Sequence, residues 1–127
     1  SDVLTMEDKP VQGLRKKKDC SILRAVELVR DGKADAVISS GNTGGIVAAA
    51  TIRLRTLEGI ERPTIACIMP SKTGAWVLVD GGANPECTPE NLLQFAVMGS
   101  AYSRAMLGRQ SPRVGVLSNG TEESNTN

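Results

Sequence analysis

One stretch constrains this chain more than any other. Ala36-Val37-Ile38, a β-branched apolar run, leads into Ser39-Ser40-Gly41-Asn42-Thr43-Gly44-Gly45, and an alanine-rich helical pattern over residues 46–57 leaves it. Strand, glycine-rich turn and helix in that order predict an α/β fold. A helix start carries unpaired backbone N–H groups and partial positive charge, so a turn placed there is a natural seat for an anion. Glycines let the backbone bend sharply and approach a ligand closely. Asn42 and Thr43 add side-chain donors, and either suits the helix cap. Two readings stay open: a cradle for phosphate or carboxylate, or an ordinary strand-to-helix turn with good caps.

The neighbouring elements fit around this unit. Val3-Leu4-Thr5-Met6 reads as a short strand or its end, and Glu7-Asp8-Lys9-Pro10 as a turn. Residues 11–18 form a short helix or a loop, with Pro10 suited to a first helical position. Ile22, Ala25, Val26 and Val29 recur at helical spacing; Asp19 or Ser21 caps that helix and Gly32 lies just beyond its end. Residues 34–39 read as a strand buried on both faces, because its apolar residues run together rather than alternate. Gly59 ends the helix that follows the turn. A second strand at 64–69 and a third at 75–79 flank Pro70-Ser71-Lys72-Thr73-Gly74, too short a link for a crossover, so they form an antiparallel hairpin. Thr88-Pro89-Glu90 opens a helix to about Leu107, stopped by Gly108. Its broad apolar surface implies burial on two sides. Residues 113–118 are a fourth strand. Trp76 reads as sheet packing, and Met98 and Met106 as core.

Composition removes whole classes of chemistry. The 127 residues contain no histidine, so Ser-His-Asp and Cys-His catalysis within the chain is excluded, and a zinc site lacks its usual ligands. Three cysteines, Cys20, Cys67 and Cys87, form no CxxC pair and read as reduced thiols. A net charge of +1 argues against a nucleic-acid partner, although Arg15-Lys16-Lys17-Lys18 is a local basic cluster. No signal-peptide pattern or membrane span is visible, and the 127 residues are expected to be a single α/β domain, the central portion of a longer chain.

Three of the expected strands run directly into polar, glycine-containing turns. In open α/β sheets, ligands bind beyond the carboxyl ends of strands. If those strands are parallel, Asn42, Asp80, Asn84, Asn119 and Glu122 face one crevice. Each also has a plainer reading: Asp80 and Asn84 as turn residues, Glu122 and the lysines as solvated charge.

Several stretches together carry a family resemblance. They are Met6-Glu7-Asp8-Lys9-Pro10, Lys17-Lys18-Asp19-Cys20-Ser21, Ala34-Asp35-Ala36-Val37-Ile38-Ser39-Ser40-Gly41-Asn42-Thr43-Gly44, Asp80-Gly81-Gly82-Ala83-Asn84, Leu92-Leu93-Gln94-Phe95-Ala96-Val97-Met98-Gly99-Ser100, Pro112-Arg113-Val114-Gly115 and Asn119-Gly120-Thr121-Glu122-Glu123. In order and spacing they resemble the bacterial phosphate acyltransferases of phospholipid synthesis, the acyl-ACP:phosphate acyltransferase (PlsX) family. Two departures stand out. Ser124-Asn125-Thr126-Asn127 replaces the lysine-glycine that normally follows the glutamate pair, and Gly81 stands where the family often has valine or isoleucine.

The resemblance implies a three-layer α/β/α sandwich with a mixed, mostly parallel sheet, like isocitrate and isopropylmalate dehydrogenases. It implies formation of acyl phosphate from acyl carrier protein and inorganic phosphate by a cytoplasmic homodimer without a cofactor or metal. That enzyme touches the membrane peripherally and passes product to a membrane glycerol-phosphate acyltransferase. In such a reaction phosphate is itself the nucleophile. Asn42, Lys18 and Asp80 are the expected catalytic residues. Gly41, Thr43, Gly44, Lys17, Asn84, Asn119 and Glu122 are the expected phosphate- or substrate-binding residues. Lys17 and Lys18 suit either phosphate or the acidic carrier. Two other classes compete: a non-catalytic folded fragment or acyl-carrier-binding module, and a dehydrogenase-like nucleotide enzyme, which the missing GxGxxG weakens.

Overall fold

A computed structural model describes residues 2–84 and 86–117. It divides into two compact units, Ser1–Pro63 and Thr64–Asn127, and each is α-helical or α/β in its own right.

The first unit packs three helices, α1 (Pro10–Lys16), α2 (Ser21–Arg30) and α3 (Thr43–Leu54). Its core is Leu4, Leu14, Cys20, Ile22, Leu23, Val26 and Ala49, with Val37, Ile46 and Ala48 packed against it. Pro10 occupies the first turn of α1 as expected, where its missing N–H costs nothing. Neither Asp19 nor Ser21 caps α2. Its N-cap is Cys20, which makes no side-chain cap bond, and Asp19 instead accepts from Arg24 Nε at 2.6 Å. The expected stop holds: Gly32 (φ +67) donates to the Val29 carbonyl and Lys33 to that of Leu28, the paired bonds of a Schellman motif.

α3 begins at Thr43, and its small residues pack as expected, Ala49 being fully buried. It ends before Gly59. Arg55 closes it at φ 66, ψ 175, a region that only glycine enters cheaply. Gly59 (φ +81) instead serves the turn in which Ile60 N–H donates to Leu57 O.

The second unit holds an antiparallel hairpin, β1 (Ala66–Ser71) and β2 (Gly74–Val79), and one long helix, α4 (Pro89–Leu107), packed on β2. The register runs from Ala66 opposite Val79 to Ser71 opposite Gly74. Lys72 and Thr73 form the link, shorter than the expected 70–74, because Pro70 and Ser71 pair with Ala75 and Gly74 in the ladder. α4 starts in a capping box: Thr88 Oγ1 accepts from Asn91 N–H, and Asn91 Oδ1 accepts from Thr88 N–H. Gly108, left-handed at φ 66, ends it. Phe95 and Asn91 point inward and are 3% and 1% exposed, whereas Met106, expected in the core, is 57% exposed.

Three expected strands are not formed. Residues 3–6 enter a turn, with Leu4 in the helical core. Residues 34–39 are irregular and Ile38 is 98% exposed. Residues 113–117 are irregular too, and Ser118 lies outside the described residues. A strand exists only in a ladder, and none of these stretches has a ladder partner among the described residues. The sheet described is therefore two-stranded and antiparallel rather than mostly parallel.

Candidate functional site

Three of the stretches singled out above meet at the start of α3. Asn42 is the N-cap: its Oδ1 accepts from Gly45 N–H at 2.8 Å. Its Nδ2 donates to Thr5 O at 3.1 Å and to Asp8 O at 3.4 Å, so a single amide pins residues 5–8 against the helix start. The side chain is buried and its hydrogen-bonding capacity is largely committed.

Asp8 is the second tie. Its Oδ2 accepts from Lys17 Nζ at 2.6 Å, Thr5 N–H at 2.7 Å and Thr5 Oγ1 at 2.9 Å. The hydrogen bond from Lys17, then those from Thr5, hold its carboxyl down at about 2, below the usual 3.8. Lys17 also donates to Val3 O at 2.9 Å. Lys17 is thus occupied by the fold, while Lys18 is exposed and makes no ion pair among the described residues.

The glycines of the turn are chiefly packing glycines. A Cβ on Gly45 would overlap Leu4 Cδ2, and one on Gly44 would lie 2.7 Å from Pro10 Cγ. Gly41 donates its N–H to Ser39 Oγ at 3.2 Å. Two donors are left over. Thr43 and Gly44 are exposed, and neither N–H makes a hydrogen bond among the described residues. Those are the open amides of a helix N-terminus, with the charge and direction to receive a small oxyanion.

In the second unit, Asp80 closes the loop after β2. Its Oδ1 accepts from Thr64 Oγ1, Ile65 N–H and Ala83 N–H at 3.1–3.3 Å. Its Oδ2 accepts from Asn84 N–H at 2.7 Å and Asn84 Nδ2 at 3.2 Å. Partial burial pushes its pKa up, but the donated hydrogen bonds outweigh it and hold the carboxyl below the usual range. Asp80 and Asn84 are brought together. Asn119 and Glu122 lie outside the described residues. Gly81, the departure from valine or isoleucine, sits where a Cβ would be 3.2 Å from both Cys67 Sγ and Ile65 Cγ2.

Among known proteins, the chain matches over residues 1–127 the family described as "Fatty acid synthesis protein". The chain belongs to that family. It is 46% identical over 127 residues to the phosphate acyltransferase of Desulfitobacterium hafniense (strain DSM 10664 / DCB-2), covering 100% of this chain and 38% of the relative. To that of Desulforudis audaxviator (strain MP104C) it is 48% identical over 125 residues, 98% of this chain and 37% of the relative. To that of Syntrophomonas wolfei subsp. wolfei (strain DSM 2245B / Goettingen) it is 49% identical over 128 residues, 100% of this chain and 40% of the relative. The chain thus spans about two fifths of the length of these curated relatives.

For this member of the fatty acid synthesis protein family, sequence reasoning missed Asp8 as the residue that joins two of the motifs. Asp8 and Lys17 stand nine positions apart, a spacing with no helical or strand period, so only the fold brings them together. The available signal was the charge itself, an acid in a turn near a basic run. No helix among the described residues is long and apolar enough to cross a membrane.

Proposed function

We propose that this chain is part of a phosphate acyltransferase that forms acyl phosphate from acyl carrier protein and inorganic phosphate. The carrying observation is the start of α3, where Thr43 and Gly44 present open amides beside an Asn42 cap locked in place. Likeness to enzymes named phosphate acyltransferase over the whole chain supports the same reading.

The chemistry needs no protein nucleophile. A phosphate oxygen attacks the thioester carbonyl, a C–O bond forms, the C–S bond breaks, and the carrier thiolate leaves and takes up a proton. Holding phosphate against the carbonyl lowers such a barrier by roughly 7–11 kcal/mol at the extreme. A donor to the developing oxyanion contributes about 3–4 kcal/mol. In this reading Gly41, Thr43 and Gly44 line the phosphate seat and Asn42 fixes their geometry. Lys17 and Lys18 supply positive charge, and Asp80, Asn84, Asn119 and Glu122 belong to the same reaction.

The proposal extends to architecture. The stretches 34–39 and 113–117, irregular here, become strands of a three-layer α/β/α sandwich of the isocitrate/isopropylmalate dehydrogenase type, residues 1–127 forming one domain within a longer homodimeric chain. That enzyme is cytoplasmic, touches the membrane peripherally and serves a membrane glycerol-phosphate acyltransferase. The alternative is a non-catalytic folded fragment or a module that binds the acyl carrier without chemistry. Phosphate-dependent release of carrier thiol from acyl carrier protein, with a full-length relative as control, decides between them. Release by the chain supports the enzyme; no release, with the control active, supports the module.

A further inference from the structure

A groove of about 600 Å³ on the first unit combines an apolar floor with a cationic rim, and of its lining only Lys18 is shared with the phosphate reading. Its floor is apolar: Leu14 from α1, Leu23 from α2 and Ile52 from α3. Its rim is cationic: Arg15, Lys18 and Arg53. Arg15 and Lys18 are exposed and make no ion pair among the described residues. Arg53 Nε lies 2.9 Å from Glu27 Oε1 without the alignment of a hydrogen bond, and its terminal nitrogens have no acceptor among the described residues. Arg15 and Arg53 stand in the last turns of α1 and α3, where a cation also opposes the helix dipole. Lys18 lies beyond α1, so that effect does not account for it.

A bare anion has no use for the apolar floor. A lone acyl chain has no use for the cations. Leu14 and Leu23 are 3% and 2% exposed and already part of the core, so the depression is shallow and holds no channel for an acyl chain. Ile52, 46% exposed, leaves an apolar contact uncovered in the same groove as the charges. We propose that this groove docks an acidic amphipathic helix of a protein partner: carboxylates on the cations, one or two apolar side chains on Ile52. The partner's identity rests on the acyltransferase reading, which makes it the thioester carrier.

The test is direct binding. Fluorescently labelled acyl carrier protein is titrated with the 127-residue chain and read by anisotropy, beside vesicles of phosphatidylglycerol and phosphatidylcholine. We expect saturable carrier binding that weakens with salt. Arg15→Glu should weaken it at least tenfold, Ile52→Ser several-fold, and Arg15→Lys little, with unchanged circular dichroism and melting temperature in each. Carrier binding that is absent, or indifferent to Arg15→Glu, overturns the proposal. So does Arg15-dependent binding of the vesicles alone, which assigns the groove to an anionic lipid surface. Thiol release is scored separately: Arg15-dependent carrier binding without it leaves the docking surface standing and removes the chemistry.

Discussion

At the start of α3, Asn42 commits its carbonyl oxygen to the helix and its amide to the backbone of residues 5–8. Asn42→Ala therefore removes a cap and leaves two carbonyls short of a donor. We expect it to cost about 1–2 kcal/mol in stability, read from denaturant midpoints, in addition to any loss of turnover. Asn42→Asp keeps the acceptor for Gly45 and should recover part of that loss. Asp8 sets a pH dependence with a definite sign. Its folded pKa lies below the ordinary 3.8, at about 2, so its contribution is complete above about pH 4 and is lost as pH falls towards 2. Asp80 shifts in the same direction. Acid titration of the melting temperature should show a drop between pH 4 and 2 that is reduced in Asp8→Asn. Arg55 offers the opposite case. Its backbone at φ 66, ψ 175 suits glycine, so Arg55→Gly should stabilise the chain by about 1 kcal/mol in thermal unfolding.

At the scale of elements, the glycines of the turn govern how α1 meets α3. Gly13 and Gly45 both face Leu4, and a Cβ on either would overlap one of its methyl groups. Gly45→Ala should cost about 1–3 kcal/mol by overpacking, measured by equilibrium unfolding, whereas Gly115→Ala, with open space around it, should cost much less. α4 was legible from end to end because its signals are local: Thr88, Pro89 and Gly108 each act within a turn of the helix end. The hairpin was legible for the same reason, since the short stretch 70–74 leaves no room for a crossover, although the strands run further into it than expected. The strands expected at 34–39 and 113–118 are not formed among the described residues, because a ladder depends on a partner distant in sequence, and an apolar run alone does not name one. The candidate site was legible in part. Asn42 announced itself as a cap, but the acid that joins it to Lys17 did not.

At the scale of the whole molecule, a helical unit and an α/β unit each carry one closed polar loop, around Asn42 and around Asp80. Both loops are preorganised by their own hydrogen bonds. We propose that the first turn of α3 receives a small oxyanion. The most direct measurement is a titration of the isotopically labelled chain with inorganic phosphate, followed by amide chemical shifts. We expect the Thr43 and Gly44 amides to move saturably with phosphate and to remain still with an equal ionic strength of chloride. Amides at those two positions that stay unmoved by phosphate would contradict it.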